Sequence, residues 1–314
     1  MKAAGCLVLA LALVKTASAQ PKNTGLVERA RLEVAPGGRP IKQLTIENPL
    51  GDVKIEGYDG QSIMIETTKT APDEDALDRL RVSLIPNPDG TVRILTTADG
   101  GKEVKTLARA AVKIDLVVRA PRDARIDAAV SAGKLEVINM DAGGELDTAS
   151  GPISVRNIAG ELSTHSISGT TTIAQAFGSV DAQTIASDVE LDTIGGERLV
   201  ASVSRGKIAG RRVRARDVQL TTTEGKITLE AEAPLRGRMV IASLRGDVDV
   251  KLRRHGPVTV RVRAARLDLG SSLGAARPGP DGWVEGHLGV KPQAQAAIVE
   301  LRSRYGFVQF AVIE

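Results

Sequence analysis

The feature that most constrains this chain is a phrase repeated about every nineteen residues between Ser131 and Val250. It consists of Ser or Thr, usually Gly, and then alternating apolar residues. Examples are Ser131-Ala-Gly-Lys-Leu-Glu-Val137, Ser150-Gly-Pro-Ile-Ser-Val155, Ser204-Arg-Gly-Lys-Ile208 and Thr223-Glu-Gly-Lys-Ile-Thr-Leu229. The aligned residues Leu135, Ile153, Thr171, Val189, Ile208, Ile227 and Val248 are separated by 18, 18, 18, 19, 19 and 21 residues. A second alternating run is marked by Leu146, Leu162, Val180, Leu199, Val218 and Met239. Alternation at period two places apolar side chains on one face of a strand and polar ones on the other. The glycines at the strand entrances suit corners that need positive φ.

Two strands per repeat at constant period predict an all-β fold, a parallel single-stranded β-helix (β-solenoid) with two short strands per rung of roughly 19 residues. An antiparallel sandwich or propeller is disfavoured. A propeller blade takes about 40 residues, and the Asn-Gly turns of tight hairpins do not occur here. So small a coil brings its facing walls about 10 Å apart. Aliphatic side chains fill that gap, so function is expected on the outer faces, edges or loops.

Four segments follow from this reading. Residues 1–19 read as a signal peptide: Lys2, an apolar run from Ala3 to Val14, then Ala17-Ser18-Ala19 at the cleavage site. Twelve apolar residues are too few to cross a bilayer core about 30 Å thick. Residues 20–130 hold strand-like runs of irregular spacing and are expected to form an N-terminal β capping region. Residues 131–270 carry the solenoid repeats. Residues 271–314 hold a Gly/Pro-rich loop and the closing strands. The single cysteine, Cys6, leaves with the signal, so the mature chain has no thiol, disulfide or cysteine metal site. The expected location is outside the cytoplasm: periplasm, cell surface or medium. No transmembrane segment is expected in the mature chain.

These phrases resemble a known family, the bacterial exported β-strand-repeat proteins labelled putative adhesins, related to the head GIN adhesin-like domains. Glu47-Asn48-Pro-Leu-Gly51-Asp-Val-Lys-Ile-Glu-Gly57-Tyr58-Asp59 is similar to the family's opening strand. Leu116-Val-Val-Arg-Ala-Pro121 resembles the strand that precedes its repeats, and Leu301-Arg-Ser-Arg-Tyr-Gly306-Phe-Val-Gln-Phe310 resembles its closing strands. The resemblance implies a β-helix-like solenoid outside the cytoplasm and brings no catalytic or binding residues with it. Thr171 and Gly210 depart from the pattern at apolar positions, as does the loop from Pro278 to Gly289.

Chemistry finds little support in the residues. His165, His255 and His287 lie in separate segments, no serine sits in a Gly-x-Ser-x-Gly turn, and no phosphate-cradling loop is present. No metal site and no cofactor are expected. Polysaccharide-cleaving enzymes also use β-coils, so an envelope glycan-active enzyme is the alternative, with Asp147, Asp181, Asp192, Asp247 and Asp249 as candidate acids. These belong to different rungs, and aromatic content of 2% leaves few platforms for sugar rings.

Charge is sorted along the chain. Gln20 to Glu197 holds 19 Lys/Arg against 27 Asp/Glu, whereas Arg198 to Asp268 holds 17 against 7. Arg211, Arg212, Arg214 and Arg216, with Arg261 and Arg263 repeating their alternation, form the candidate polyanion-binding site. The expected partner is an envelope protein or an anionic glycan or lipid such as lipid A, teichoic acid or acidic polysaccharide. Nucleic acid is not expected, because stacking aromatics are lacking. The plainer reading is a solvated arginine face. The sequence therefore points to an exported, non-enzymatic adhesin or scaffold that binds through its outer face.

Overall fold

A computed structural model describes residues 8–9, 25–35, 39–98, 112–273, 278–289 and 296–313. The signal-peptide reading lies outside these residues apart from Val8–Leu9. The chain is nearly all-β, with 75% of it in strands, and it divides into two compact units, Met1–Ile158 and Ala159–Glu314.

In the first unit two parallel ladders carry the core. In one, Val92, Leu44 and Ile126 stand side by side, followed by Ile94, Ile46 and Ala128 two residues on. The strand Gly144–Ser150 extends it, with Leu146 beside Ala128. In the other, Leu116, Val53, Leu135 and Ile153 align, then Val118, Ile55, Val137 and Val155. These apolar residues are at most 3% exposed. Each buried Leu, Ile or Val contributes roughly 1.5–3 kcal/mol through the area it removes from water. Leu26–Val34, Ile63–Ala71 and Lys113–Pro121 form an antiparallel sheet alongside. Leu80–Pro86 and Thr91–Ala98 make a hairpin.

One buried polar residue ties this unit together. Asn48 is fully buried; its amide donates to the Ile114 carbonyl at 2.9 Å, and its oxygen accepts from Thr96 Oγ1 at 2.5 Å and from the Leu50 N–H at 3.3 Å. These bonds join three chain segments distant in sequence, and buried polar groups are tolerated because they are paired.

In the second unit the recurrent segments also pair in parallel. Thr171, Val189, Ile208, Ile227, Val248 and Val308 form one row, and Val180, Leu199, Val218, Met239, Val299 and Val260 form another. The closing segments are a single strand, Ala297–Ile313, whose first half joins the second row and whose second half joins the first. Gly210, one departure from the apolar pattern, stands where a Cβ would come within 2.8 Å of Leu229 Cδ1. Thr171, the other departure, is buried in its row.

The repeats differ from the expected pair of short strands. Val189–Arg205 and Ile208–Glu224 are continuous strands of 17 residues. Their inward alternation breaks twice, at Arg211-Arg212 and at Arg216-Asp217 in the second of them. The ladder passes through the bends because the neighbouring repeat bends at the equivalent residue. The first bend is built on non-glycine residues at positive φ: Asn139 and Asn157 in the first unit, then Gln175, Thr193 and Arg212 in the second, at spacings of 18, 18, 18 and 19. Asn157 donates to Asn139 Oδ1 at 2.8 Å, so the side chains of this corner form a ladder of their own. A further corner requires glycine. Gly225 has φ of 150°, and a Cβ there would lie 1.8 Å from the Gly206 carbonyl oxygen.

Two stability outcomes follow. Asn48→Ala removes one partner from buried groups and should lower unfolding free energy by about 1–3 kcal/mol in denaturant titration. Gly225→Ala should cost on the order of 1–3 kcal/mol from backbone strain alone, with the steric clash added.

Candidate functional site

The six arginines named from the sequence occupy two places in the second unit. Arg211, Arg212, Arg214 and Arg216 lie on Ile208–Glu224, all exposed, around buried Val213 and Ala215. Arg261 and Arg263 lie on Val258–Asp268. Arg238–Arg245 and Ala297–Ile313 separate these two strands in the ladder. At about 4.8 Å per strand, the structure does not bring the two groups together.

Within the first group the charges are unequal in availability. Arg211-Arg212 is a bulge: Gly210 pairs with Leu229 and Val213 with Ala231, so two residues face one. The bend turns Arg212 back onto the preceding strand. There its guanidinium bonds Asp192, and its Nε donates to Thr193 Oγ1 at 2.9 Å. Arg214 donates to Glu232 at 2.8 Å. Arg211 and Arg216 have no ion pair among the described residues. The stack of like charges expected from the sequence is thus broken up by carboxylates of adjacent strands.

Glu232 is the centre of that neutralisation. His255 Nε2 lies 3.0 Å from one carboxylate oxygen, with Arg214 at 2.8 Å and Arg253 at 3.6 Å from the other. The hydrogen bond from His255, then those from Arg214, hold its carboxyl below the usual glutamate value, against the opposing effect of burial.

At the second place the structure gathers two arginines that were not read from the sequence, Arg302 and Arg304, around Arg263. Arg263 stands beside Arg302 in the parallel ladder, and both line an open depression of about 750 Å³ with Arg304. Thr221, Ala242, Arg302 and Arg263 form its outward row, and Gly282, from the 278–289 segment, stands at one side. That segment also carries Trp283, whose ring lies between Arg261 at 5.0 Å and Arg302 at 5.1 Å from its centroid. Arg302 is further paired with Glu300, and Arg261 with Glu285 at 3.5 Å. Arg302 and Arg304 alternate with buried Leu301 and Ser303, and that alternation was the signal available in the sequence.

Of the five acids named for a glycan-cleaving site, the four in the second unit are held apart, whereas in the first unit Asp147 brings a carboxylate oxygen within 4.8 Å of one from Glu145. Asp192 pairs with Arg212, Asp181 accepts from Gln183 at 3.2 Å, Asp247 accepts the Phe307 N–H at 2.9 Å, and Asp249 lies 3.7 Å from Lys226. Asp247 is structural, since it links one repeat to the closing strand; Asp188 does the same for the Lys207 N–H at 2.8 Å. His287 faces Thr259 and Glu285, away from His255 on Glu232.

No family model matches the sequence, and no curated protein matches it. Among solved structures the chain is similar to a putative cell adhesion protein from Clostridium sporogenes at 10% identity, covering 91% of this chain and 100% of that one, with a TM-score of 0.29. It is similar to a putative adhesin from Parabacteroides distasonis at 10% identity, with 91% and 97% covered and a TM-score of 0.39. A putative lipid binding protein from the same organism matches at 11% identity, with 90% and 96% covered and a TM-score of 0.32. Among the described residues, no helix is long and apolar enough to cross a membrane.

The Glu232 cluster gives a pH signature. A carboxyl lowered in the folded state adds stability that is complete above its unfolded value, near 4.5, and that is lost as pH falls through the folded value. Glu232→Gln should therefore melt at a lower temperature than the parent protein at neutral pH. The gap corresponds to about 1 kcal/mol or less and should shrink as pH falls below 4.5. Thermal melts of both proteins at neutral pH and at a series of values below 4.5 check this.

Proposed function

We propose that the chain is an exported, non-enzymatic binding protein of the cell envelope, an adhesin-type or scaffold module that contacts its partner through outward side chains. In this reading residues 1–19 direct export, residues 20–130 cap the array, and each later repeat is one turn of a parallel β-solenoid. The parallel registers, stepping by 18 to 21 residues with equivalent apolar residues aligned, support the coil. Inward positions are filled mainly by aliphatic side chains, with small hydroxyl residues such as Thr171 and Thr222 among them, so the outer surface is the place left for recognition.

One observation carries the non-enzymatic reading. The four candidate acids of the second unit, Asp181, Asp192, Asp247 and Asp249, are each engaged by a separate partner, whereas Arg211, Arg216, Arg263 and Arg304 have no carboxylate partner among the described residues. Such side chains attract carboxylates or phosphates of envelope polymers. Steering by exposed charge weakens with salt, because the Debye length is about 8 Å at physiological ionic strength. The partner class is an anionic glycan or lipid, and Arg211, Arg212, Arg214, Arg216, Arg261 and Arg263 are the candidate contacts.

The test is incubation of the mature protein with peptidoglycan and with acidic polysaccharide. We expect salt-sensitive co-sedimentation with the anionic polymer and no soluble product. Reproducible release of reducing sugar would replace this reading with the glycan-active enzyme.

A further inference from the structure

The charges of the second unit follow a rule with one exception. Where charged residues stand directly opposite on paired strands, the signs oppose: Asp192 with Arg211, Arg198 with Asp217, Glu224 with Arg245, Glu232 with Arg253, Arg261 with Glu300. Opposed unlike charges stabilise a sheet and like charges destabilise it. Among the described residues of this unit, Arg263 opposite Arg302 is the like-charge pair. It lies in the depression, and Arg304 adds a third guanidinium to the same lining.

The surroundings hold this repulsion in place. Trp283 and Glu300 fix Arg302 from its flanks. The methyl of Ala242 is all that fills the row between Arg302 and Thr221, so the depression stays open there. Arg263 and Arg304 have no ion pair among the described residues. Among the described residues no carboxylate lines the depression, whereas Thr221 and Thr223 bring hydroxyls to it. Tyr305, 61% exposed, lies beside Arg304 with its ring 5.3 Å from that guanidinium and offers an aromatic face next to the lining. Guanidinium groups suit a carboxylate through two parallel hydrogen bonds, and hydroxyls with an aromatic face suit a sugar ring. The volume falls in the range of small-molecule sites, about 300–1,000 Å³.

We propose that the depression formed by Arg263, Arg302, Arg304, Thr221, Thr223 and Ala242 binds an acidic sugar residue of a uronate-containing glycan, with the carboxylate between Arg263 and Arg304. This deepens the outer-face reading above and rests on it for the class of partner.

The experiment uses the chain's single tryptophan. Trp283 touches Arg302, so a ligand arriving at that guanidinium changes its emission. The mature protein is titrated with trigalacturonate at low ionic strength, with calorimetry for binding and Trp283 fluorescence for location. A saturable response in both is expected, with none for neutral maltotriose. Arg263→Ser and Arg304→Ser should each weaken binding about tenfold or more. Arg263→Ser should melt no lower than the parent protein, since it removes a repulsion. Arg29→Ser, at an exposed position in the first unit, should bind as the parent does.

Several results overturn the proposal: no heat of binding, heat without a change at Trp283, an equal response to inorganic phosphate alone, or a response only to vesicles of phosphatidylglycerol. Loss in Arg211→Ser/Arg216→Ser with retention in Arg263→Ser would also overturn it, and would leave outer-face binding standing at another place. Release of products from the polymer would instead overturn the non-enzymatic reading itself.

Discussion

The parallel backbone ladder is the constraint on which the rest depends. Because the strands pair in parallel and in register, a residue stands beside its equivalent from the neighbouring repeat, and whatever holds at one repeat must hold at the next. Val53, Leu135 and Ile153 align, as do Val189, Ile208, Ile227 and Val248. An aliphatic residue there buries itself against its copies, and a one-residue slip would turn every such side chain to solvent. The corners obey the same discipline. A glycine column sits where a Cβ would strike the carbonyl of the preceding repeat, and a polar column sits where φ turns positive.

The same register arranges electrostatics. Outward side chains of neighbouring strands come within reach of one another, so a composition excess of arginine does not translate into a uniform positive face. Arg212 and Arg214 are consumed by Asp192 and Glu232. Arg211 and Arg216 on that same strand, and Arg263 and Arg304 on others, are among those without a carboxylate partner among the described residues. The 278–289 segment, folded antiparallel against Val258–Asp268, brings Trp283 between two of the arginines and helps hold the second place.

Much of the repeat architecture was legible because burial at period two writes itself into the apolar pattern. The rows through Leu135 and Val180 could be drawn without coordinates. The bends were not legible. Asn139, Asn157, Gln175, Thr193 and Arg212 share a backbone conformation and little side-chain chemistry, so a search for glycine at corners passes over them. The continuous strands went unseen for the same reason. Arg302 and Arg304 were hidden in a segment read as closing strand, although their alternation with Leu301 and Ser303 was visible.

The sequence by itself determined the period, the strand content and which side chains turn inward, since these depend on neighbours one or two residues away and on the regular return of the phrase. Only the tertiary structure decided which charges meet. Arg263 and Arg302 are far apart in the chain, and a parallel ladder sets them side by side. Whether an arginine is neutralised or left facing its like depends on that long-range register, which no local pattern encodes.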